Sequence, residues 1–175
     1  MIKVLIDYLD SLQLKRINKF LKKFNFEIVI DVGAHKGDFI KYSLQYLRPK
    51  KIYAFEPQKD IYNFLKKKYK NDKIQISNFA VGKNNNKNLI YINNFKKTSS
   101  LSKRTIFSKS ILNKFKRFLL QIENYEYKYY VKTTSLDSFF SKNKLLKTIL
   151  KIDVEGYESN VLLGSEKVLK KIDMV

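Results

Sequence analysis

Cysteine and tryptophan are absent from the 175-residue sequence, and histidine occurs once, at His35. Without cysteine the chain can form neither a disulfide framework nor a thiolate metal site. Its apolar runs fall short of the ~18 residues that a membrane-spanning helix requires. A secretory signal peptide is not indicated either, because Lys3, Asp7 and Asp10 interrupt the first apolar stretch. These absences predict a cytoplasmic protein.

Acidic residues are scarce relative to basic ones, with 16 Asp or Glu against 36 Lys or Arg and a formal net charge of +20. Nearly all of the basic residues are lysines scattered along the chain, whereas base recognition relies on arginine forks. We therefore expect no specific nucleic-acid partner and read the composition as A/T-biased coding. A weak attraction to an anionic membrane surface stays open. Its best candidate is residues 103–120, which fit either a basic amphipathic helix at a membrane or a lid helix with a charged outer face.

Glycine is rare, with 5 residues in the chain, so Gly33 and Gly37 mark an informative segment. They follow an apolar run typical of a buried parallel strand and precede a helical apolar pattern. Strand, glycine turn and helix form the opening of a nucleotide-cofactor fold. A dinucleotide fingerprint would need glycine where His35 and Asp38 stand, and Asp31 would repel a pyrophosphate. The segment therefore favours S-adenosylmethionine (SAM), which carries cationic groups and no phosphate, over NAD or ATP.

Glu56 is a second acidic landmark, at the end of the next short apolar strand. An acidic residue there, about 20 residues past the glycine turn, can accept hydrogen bonds from the ribose hydroxyls of a cofactor. Pro57 stops the strand because it has no N–H for the ladder. Asp31 alone would also fit a turn aspartate, but its register with the two glycines and Glu56 indicates a cofactor site.

The whole chain alternates strand and helix patterns. Residues 1–27 are predicted to hold an N-terminal amphipathic helix, at 2–23, and residues 28–175 to form the core domain. Alternating βαβ units predict an α/β fold with a doubly wound, mostly parallel sheet. Residues 83–148 are interpreted as an insertion or lid over the active-site end. The predicted strands are 28–32, 51–56, 73–79, 89–92, 125–133 and 149–154, and 89–92 is expected to pair antiparallel with 125–133. One predicted helix follows the first strand and ends near residue 47. Three further helices are predicted at 59–69, 136–140 and 158–170, and the first of these is expected to pack through Ile61, Phe64 and Leu65.

Five blocks in this order resemble the FkbM family of SAM-dependent methyltransferases. They are Asp-Val-Gly-Ala-His-x-Gly from Asp31, Phe-Glu-Pro from Phe55, Asn-Phe-Ala-Val-Gly from Asn78, Thr-Ser-Leu-Asp from Thr134 and Leu-Lys-Ile-Asp-Val-Glu-Gly-Tyr-Glu from Leu150. The resemblance implies a Rossmann-like class I methyltransferase fold and an enzyme that O-methylates sugars, polyketides or other secondary metabolites. It also implies a SAM site formed by Asp31, Gly33, Ala34, His35, Gly37, Glu56, Pro57, Asn78, Ala80 and Asp153.

Asp153 and Glu155 form the second chemical cluster and are the candidate catalytic residues. Strand alternation places both on one face at a carboxyl end, where ligands bind in open α/β sheets. Asp153 fits a contact with the methionine part of SAM or with the acceptor, and either carboxylate could take the proton of an acceptor hydroxyl. Glu158 fits a helix start better, and no further ligands at clear spacing support a metal site. His35 fits a pocket-shaping role through its backbone better than a role as base.

The chain ends as a further strand begins, at 171–175. A complete fold of this type continues with strands five, six and seven, so we expect an apolar edge at 149–154 and a tendency to form a homodimer. The main hypothesis is methyl transfer to a hydroxyl of a sugar, glycan or related metabolite. The alternative is a catalytically inactive or truncated SAM-fold binding module. An RNA methyltransferase is a third interpretation, and the absence of an Asn-Pro-Pro-Tyr-like block counts against it.

Overall fold

The structure is a computed structural model that describes residues 20–21, 23–93, 99–100, 125–154 and 156–175. These residues form two four-stranded sheets connected by short helices. In chain order the elements are β1 (Ile28–Val32), α1 (Asp38–Tyr42) with a π-helical turn (Ser43–Leu47), β2 (Lys51–Phe55), α2 (Lys59–Lys68), β3 (Ile74–Ser77), β4 (Ala80–Val81), β5 (Asn86–Asn93), β6 (Ser99–Ser100), β7 (Tyr125–Thr134), α3 (Leu136–Phe139), β8 (Thr148–Ile152), α4 (Glu158–Leu163) and α5 (Glu166–Leu169).

The first sheet has the strand order β3-β2-β1-β8, and all of its neighbouring strands are parallel. The chain moves outward from β1 to β3 and returns to the other side of β1 for β8. This reversal creates a topological switch point between β1 and β8, where open α/β sheets bind ligands. Val32 is in register with both Phe55 and Ile152, so β1, β2 and β8 end level with one another.

The two faces of this sheet carry separate cores because side chains alternate along each strand. Val29 of β1 packs on the face covered by α1, the π-helical turn and α2, whereas Ile30 and Val32 pack on the face covered by α3, α4 and α5. Helices therefore cover both faces, which confirms the predicted doubly wound α/β fold. The buried helical contributions are Ile40, Leu47, Ile61 and Leu65 on the first face and Leu136, Val161 and Val168 on the second.

The second sheet has the order β4-β7-β5-β6. β5 and β7 pair antiparallel from Asn86 opposite Thr133 to Asn93 opposite Tyr125. This confirms the predicted pairing of 89–92 with 125–133. β4 follows β3 almost directly and pairs parallel with β7, so it links the second sheet to the carboxyl end of the first. Ala80, Ile90 and Val131 form a small core of their own.

The continuous helix predicted at 158–170 is wrong, because α4 and α5 stand in its place and meet at a corner formed by Gly164 and Ser165. Gly164 packs so closely on the end of β4 that a Cβ there would overlap the carbonyl of Gly82. The Ser165 hydroxyl donates to the carbonyl of Val161 and stays buried at the corner. Tertiary packing against the second sheet therefore bends a segment whose local pattern favours one helix.

The α2 helix buries a narrower stripe than predicted. Ile61 and Leu65 are buried, but Phe64 is 47% exposed and the Lys68 ammonium lies 5.4 Å from the centre of its ring. The prediction that Phe64 packs into the core is wrong, because Phe64 lies at the edge of the stripe and nearly half of its surface is exposed.

The predicted helix at 2–23 and the segment at 103–120 lie almost wholly outside the described residues. Leu21 is described and is buried in the core beside α1. At the other end of the chain, Met174 forms a parallel bridge with Ile149 on the edge of β8 that faces away from β1. Among the described residues, no helix has the length and hydropathy needed to span a bilayer.

Candidate cofactor site

The glycine turn between β1 and α1 is anchored to both neighbouring strands. The N–H groups of Gly33 and Ala34 both donate to the carbonyl of Phe55, at 3.1 Å each. Gly33 has φ +81°, and a Cβ there would overlap the carbonyl oxygen of Asp153. The turn therefore requires glycine at Gly33 both for its left-handed backbone and for the close approach of the chain after β8.

Glu56 lies buried at the end of β2, with 3% of its surface exposed. One carboxylate oxygen accepts from the N–H of His35 and the other from the N–H of Gln58, each at 2.9 Å. Burial raises the pKa of Glu56 to about 7, against the two backbone donors, which lower it. A carboxylate offers about four lone-pair positions, so these two bonds leave acceptor capacity for a ligand. The backbone of His35, at φ +45°, thus holds the carboxylate that the sequence predicts to bind the ribose of a cofactor.

Asn78 and Tyr69 support the turn and the strand end from behind. The Asn78 side-chain amide donates to the carbonyls of Glu56 and Pro57, both at 3.0 Å. The Tyr69 hydroxyl donates to the carbonyl of Gly37 at 2.9 Å, and its ring fills the space beside Gly37 where a Cβ would stand. Tyr69 was not predicted as a site residue, because the last residue of the predicted helix at 59–69 carries no local sign of a contact 32 residues away.

Lys151 is the second residue that the sequence reasoning missed. Its ammonium donates to the carbonyl of Gly33 at 2.8 Å and forms ion pairs with Oδ1 of Asp31 at 3.2 Å and Oδ2 of Asp153 at 3.5 Å. Asp31 is in register with Lys151 on the adjacent strand, so both side chains lie on one face. Asp31 is fully buried, and burial raises its pKa although Lys151 favours the charged form. Strand alternation from Asp153 to Lys151 was the signal available for this contact.

A cavity of about 920 Å³ opens at the carboxyl ends of β1, β2 and β8 and extends along β8. Asp153 lies at its wall, just after β8 ends at Ile152 rather than at the predicted residue 154, and its side chain is 68% exposed. Glu155 lies outside the described residues. Seven of the predicted site residues line this cavity: Gly33, Ala34, His35, Glu56, Pro57, Ala80 and Asp153. Asp31, which is fully buried, does not line it, and neither do Gly37 and Asn78.

Polar groups are few in this wall, and several apolar side chains of β8, α1 and the second sheet complete it. Gln58, at the start of α2, and Tyr157, just before α4, also line the cavity and were not predicted. Burial raises the pKa of the Tyr157 hydroxyl. Within the described part of the chain, no group of three or more His, Asp or Glu side chains is arranged to hold a metal ion.

Comparison with protein families matches residues 31–175 to the methyltransferase FkbM domain. The chain belongs to the FkbM methyltransferase family. The match begins at Asp31 and so includes every site residue described above. It confirms the resemblance that the five sequence blocks indicated.

Among solved structures, the chain is similar to the methyltransferase FkbM from Methylobacillus flagellatus KT, with a TM-score of 0.54 and 12% sequence identity. The similarity covers 86% of this chain and 32% of that chain, so the FkbM domain described here spans about a third of the neighbour's length. At this identity the likeness supports the Rossmann-like fold and nothing finer. A comparison with curated proteins finds no match.

Proposed function

We propose that this FkbM domain binds SAM in the cavity at the carboxyl ends of β1, β2 and β8 and transfers a methyl group to a hydroxyl of a sugar, glycan or related secondary metabolite. The observation that carries the proposal is the buried Glu56 carboxylate at the cavity wall, held by the N–H groups of His35 and Gln58. A carboxylate in this place accepts hydrogen bonds from ribose hydroxyls in related folds.

The residues of the cavity fit SAM better than NAD or ATP. Gly33 and Ala34 offer a narrow backbone surface beside Glu56, and Asp153 presents an exposed carboxylate on the opposite side of the turn. Two carboxylates at one wall suit a ligand with ribose hydroxyls and an ammonium group, and they would repel a pyrophosphate. The cavity volume lies within the range of about 300–1,000 Å³ that is usual for small-molecule sites.

Bound SAM supplies a methyl group on a sulfonium, so the chain's own residues need only bind, orient and accept a proton. Glu56 would hold the ribose, and Gly33 and Ala34 would line the adenosine side. Asp153 and Glu155 remain the candidates for accepting the proton of the acceptor hydroxyl. The apolar part of the cavity wall would exclude water from the reacting groups.

Calorimetry with SAM, its demethylated product S-adenosylhomocysteine and NAD tests the cofactor. We expect SAM and its product to bind and NAD to bind more weakly or not at all. Glu56→Ala is expected to weaken binding by about 1.5–3 kcal/mol, the range for hydrogen bonds to a charged group. Glu27→Ala, which removes a carboxylate at the amino end of β1, is the matched control and should leave the affinity unchanged.

Tighter binding of NAD than of SAM would refute the proposed cofactor, and an unchanged affinity in a folded Glu56→Ala variant would refute the role of Glu56. Transfer of a labelled methyl group from SAM to saccharide acceptors then tests the reaction. SAM binding with no transfer to any acceptor would favour the alternative, a SAM-fold binding module.

A further inference from the structure

Lys151 lies between the two carboxylates that the sequence assigned to the cofactor. Its ammonium reaches the carbonyl of Gly33 and the carboxylates of Asp31 and Asp153, at 2.8, 3.2 and 3.5 Å. The contact with Gly33 is a hydrogen bond and the contacts with the two carboxylates are ion pairs, so one ammonium group joins the glycine turn to both acidic residues. The side chain is 24% exposed, which keeps its charge mostly away from solvent.

The contact with Lys151 changes what Asp31 can do. Asp31 is fully buried and lies behind the cavity wall, so a ligand in the cavity does not meet its carboxylate directly. Neither of its carboxylate oxygens accepts a hydrogen bond from the described residues, and the ion pair of Oδ1 with Lys151 compensates its charge. A buried carboxylate that loses its partner is strongly destabilising. The ion pair with Lys151 therefore compensates the negative charge of Asp31 inside the protein.

Asp153 has the opposite surroundings. It lies at the cavity wall, its side chain is 68% exposed, and its contact with Lys151 is the longest of the three. Two carboxylates and one ammonium leave this cluster with a single negative charge, and the exposed carboxylate is where that charge meets the cavity.

We propose that Lys151 is a positioning residue of the cofactor site, which neutralises Asp31, holds the Gly33 carbonyl in the turn and leaves Asp153 as the carboxylate that receives the ammonium group of the cofactor. The assignment rests on the proposed function, because it takes SAM as the ligand, and of the two candidate bases it leaves Glu155 for the proton of the acceptor hydroxyl. Asp31 then has a role in the structure of the turn instead of the direct contact with a cationic ligand that the sequence predicts.

The roles of Asp31 and Asp153 are distinguished by measuring how an Asn substitution at each position changes the binding of two ligands. S-adenosylhomocysteine carries the ammonium group, whereas methylthioadenosine shares the adenosine and thioether but lacks the amino-acid end. Asp153→Asn is expected to weaken binding of S-adenosylhomocysteine about tenfold or more, as for a charge-assisted hydrogen bond, and to leave methylthioadenosine within about twofold. Asp31→Asn should change the affinities of both ligands by the same factor. Selective loss of S-adenosylhomocysteine binding in Asp31→Asn, with none in Asp153→Asn, would overturn the assignment.

Lys151 is tested by separating its effect on folding from its effect on the site. Lys151→Met should lower the melting temperature, and adding Asp31→Asn should restore it, because no buried charge then lacks a partner. The restored double variant is still expected to bind both ligands more weakly, since the Gly33 carbonyl has lost its donor. Wild-type affinity in that variant would overturn the positioning role.

Lys151→Arg provides an independent measure because it keeps the charge beside Asp31. It should fold and weaken both ligands by a similar factor, since a planar guanidinium cannot reproduce the donor geometry of the ammonium; an unchanged affinity contradicts the inference. A wild-type chain that binds neither ligand would refute the proposed cofactor instead. The melting temperatures of Lys151→Met and of its double variant would then still decide whether Lys151 neutralises Asp31.

Discussion

Gly33 meets two constraints that a side chain would violate. Its φ of +81° lies in the left-handed region, and the carbonyl of Asp153 occupies the place of a Cβ. Gly156 has a similar φ, +91°, but no atom of the described residues beyond its chain neighbours lies within 4 Å of the position of its Cβ. A substitution at Gly156 therefore measures the cost of the left-handed backbone alone, whereas the same substitution at Gly33 adds the cost of steric overlap.

Gly156→Ala is expected to lower the free energy of unfolding by about 1–2 kcal/mol, the cost of a left-handed L-residue. Gly33→Ala should cost about 1–3 kcal/mol more, because the Asp153 backbone must also move. Urea unfolding of both variants measures the difference, and calorimetry should show loss of cofactor binding for Gly33→Ala alone. Equal destabilisation by the two substitutions would mean that the turn has room for a methyl group.

Glu56 makes the stability of the domain depend on pH. Its pKa is 4.5 in the unfolded chain and about 7 in the folded one. Between these values the folded state holds a proton that the unfolded state has released, so this contribution is present in full below pH 4.5 and is lost as the pH rises through 7. The difference corresponds to about 3 kcal/mol in the free energy of unfolding.

Urea unfolding of the wild type and of Glu56→Gln across this pH range tests the effect. The wild type should lose stability relative to the variant as the pH rises, because the amide cannot ionise. The comparison with Glu56→Gln removes the contributions of other groups, including Asp31, whose pKa burial also raises. Parallel pH profiles of the two proteins would show that Glu56 keeps an ordinary pKa.

At the scale of elements, a side chain from one helix caps another. Oδ1 of Asp137 in α3 accepts from the N–H groups of Lys167 and Val168 in the first turn of α5, at 3.0 and 2.8 Å. The aspartate of the Thr-Ser-Leu-Asp block therefore has a structural role away from the cavity. It joins two helices of the same face of the sheet.

Asp137→Ala should lower the free energy of unfolding by about 1–2 kcal/mol, as for the loss of a helix cap, and leave the affinity for SAM unchanged. Glu166→Ala is the control, because it removes an exposed acidic residue from the first turn of α5 and should change stability by less than about 0.5 kcal/mol. Thermal and urea unfolding provide the stabilities and calorimetry the affinity. A loss of cofactor binding in Asp137→Ala would show that this cap also shapes the site.

At the scale of the whole molecule, the formal net charge of +20 lowers the stability of the folded state through repulsion between like charges. Like charges repel one another more strongly in the compact state than in the expanded chain, and salt screens this repulsion. The same excess of positive charge is the reason to predict a weak attraction to an anionic membrane surface.

Raising the ionic strength from about 0.01 M to about 0.15 M shortens the Debye length from about 30 Å to about 8 Å. We expect the melting temperature to rise by about 2–4 °C, which corresponds to about 1 kcal/mol for a domain of this size. Sodium and potassium chloride at equal ionic strength should act alike if screening is the cause. A melting temperature that is constant or falls would mean that local ion pairs outweigh the general repulsion.

The sequence by itself determined the alternation of strand and helix from β1 to β3, the parallel sheet, the glycine turn and the position of Glu56 after β2. These follow from periodicity and turn chemistry, which act over a few residues and which tertiary packing then reinforced. It also predicted that Asp153 lies at the ligand edge of the sheet, because the carboxyl ends of parallel strands share one edge, and Asp153 does line the cavity there. The sequence did not predict the capping of α5 by Asp137, the corner between α4 and α5 or the exposure of Phe64. These features depend on which distant segments of the chain pack together.

Only the tertiary structure decided how the acidic residues divide their roles. Asp31 lies behind the cavity wall, Asp153 lies at it, and Lys151 joins them to the carbonyl of Gly33, a residue 118 positions away in the chain. Register between β1 and β8 creates this contact, and no local pattern in either strand encodes that register. The charge available to a ligand was therefore a property of the folded sheet, because a buried carboxylate beside an ammonium presents little of its charge to the cavity.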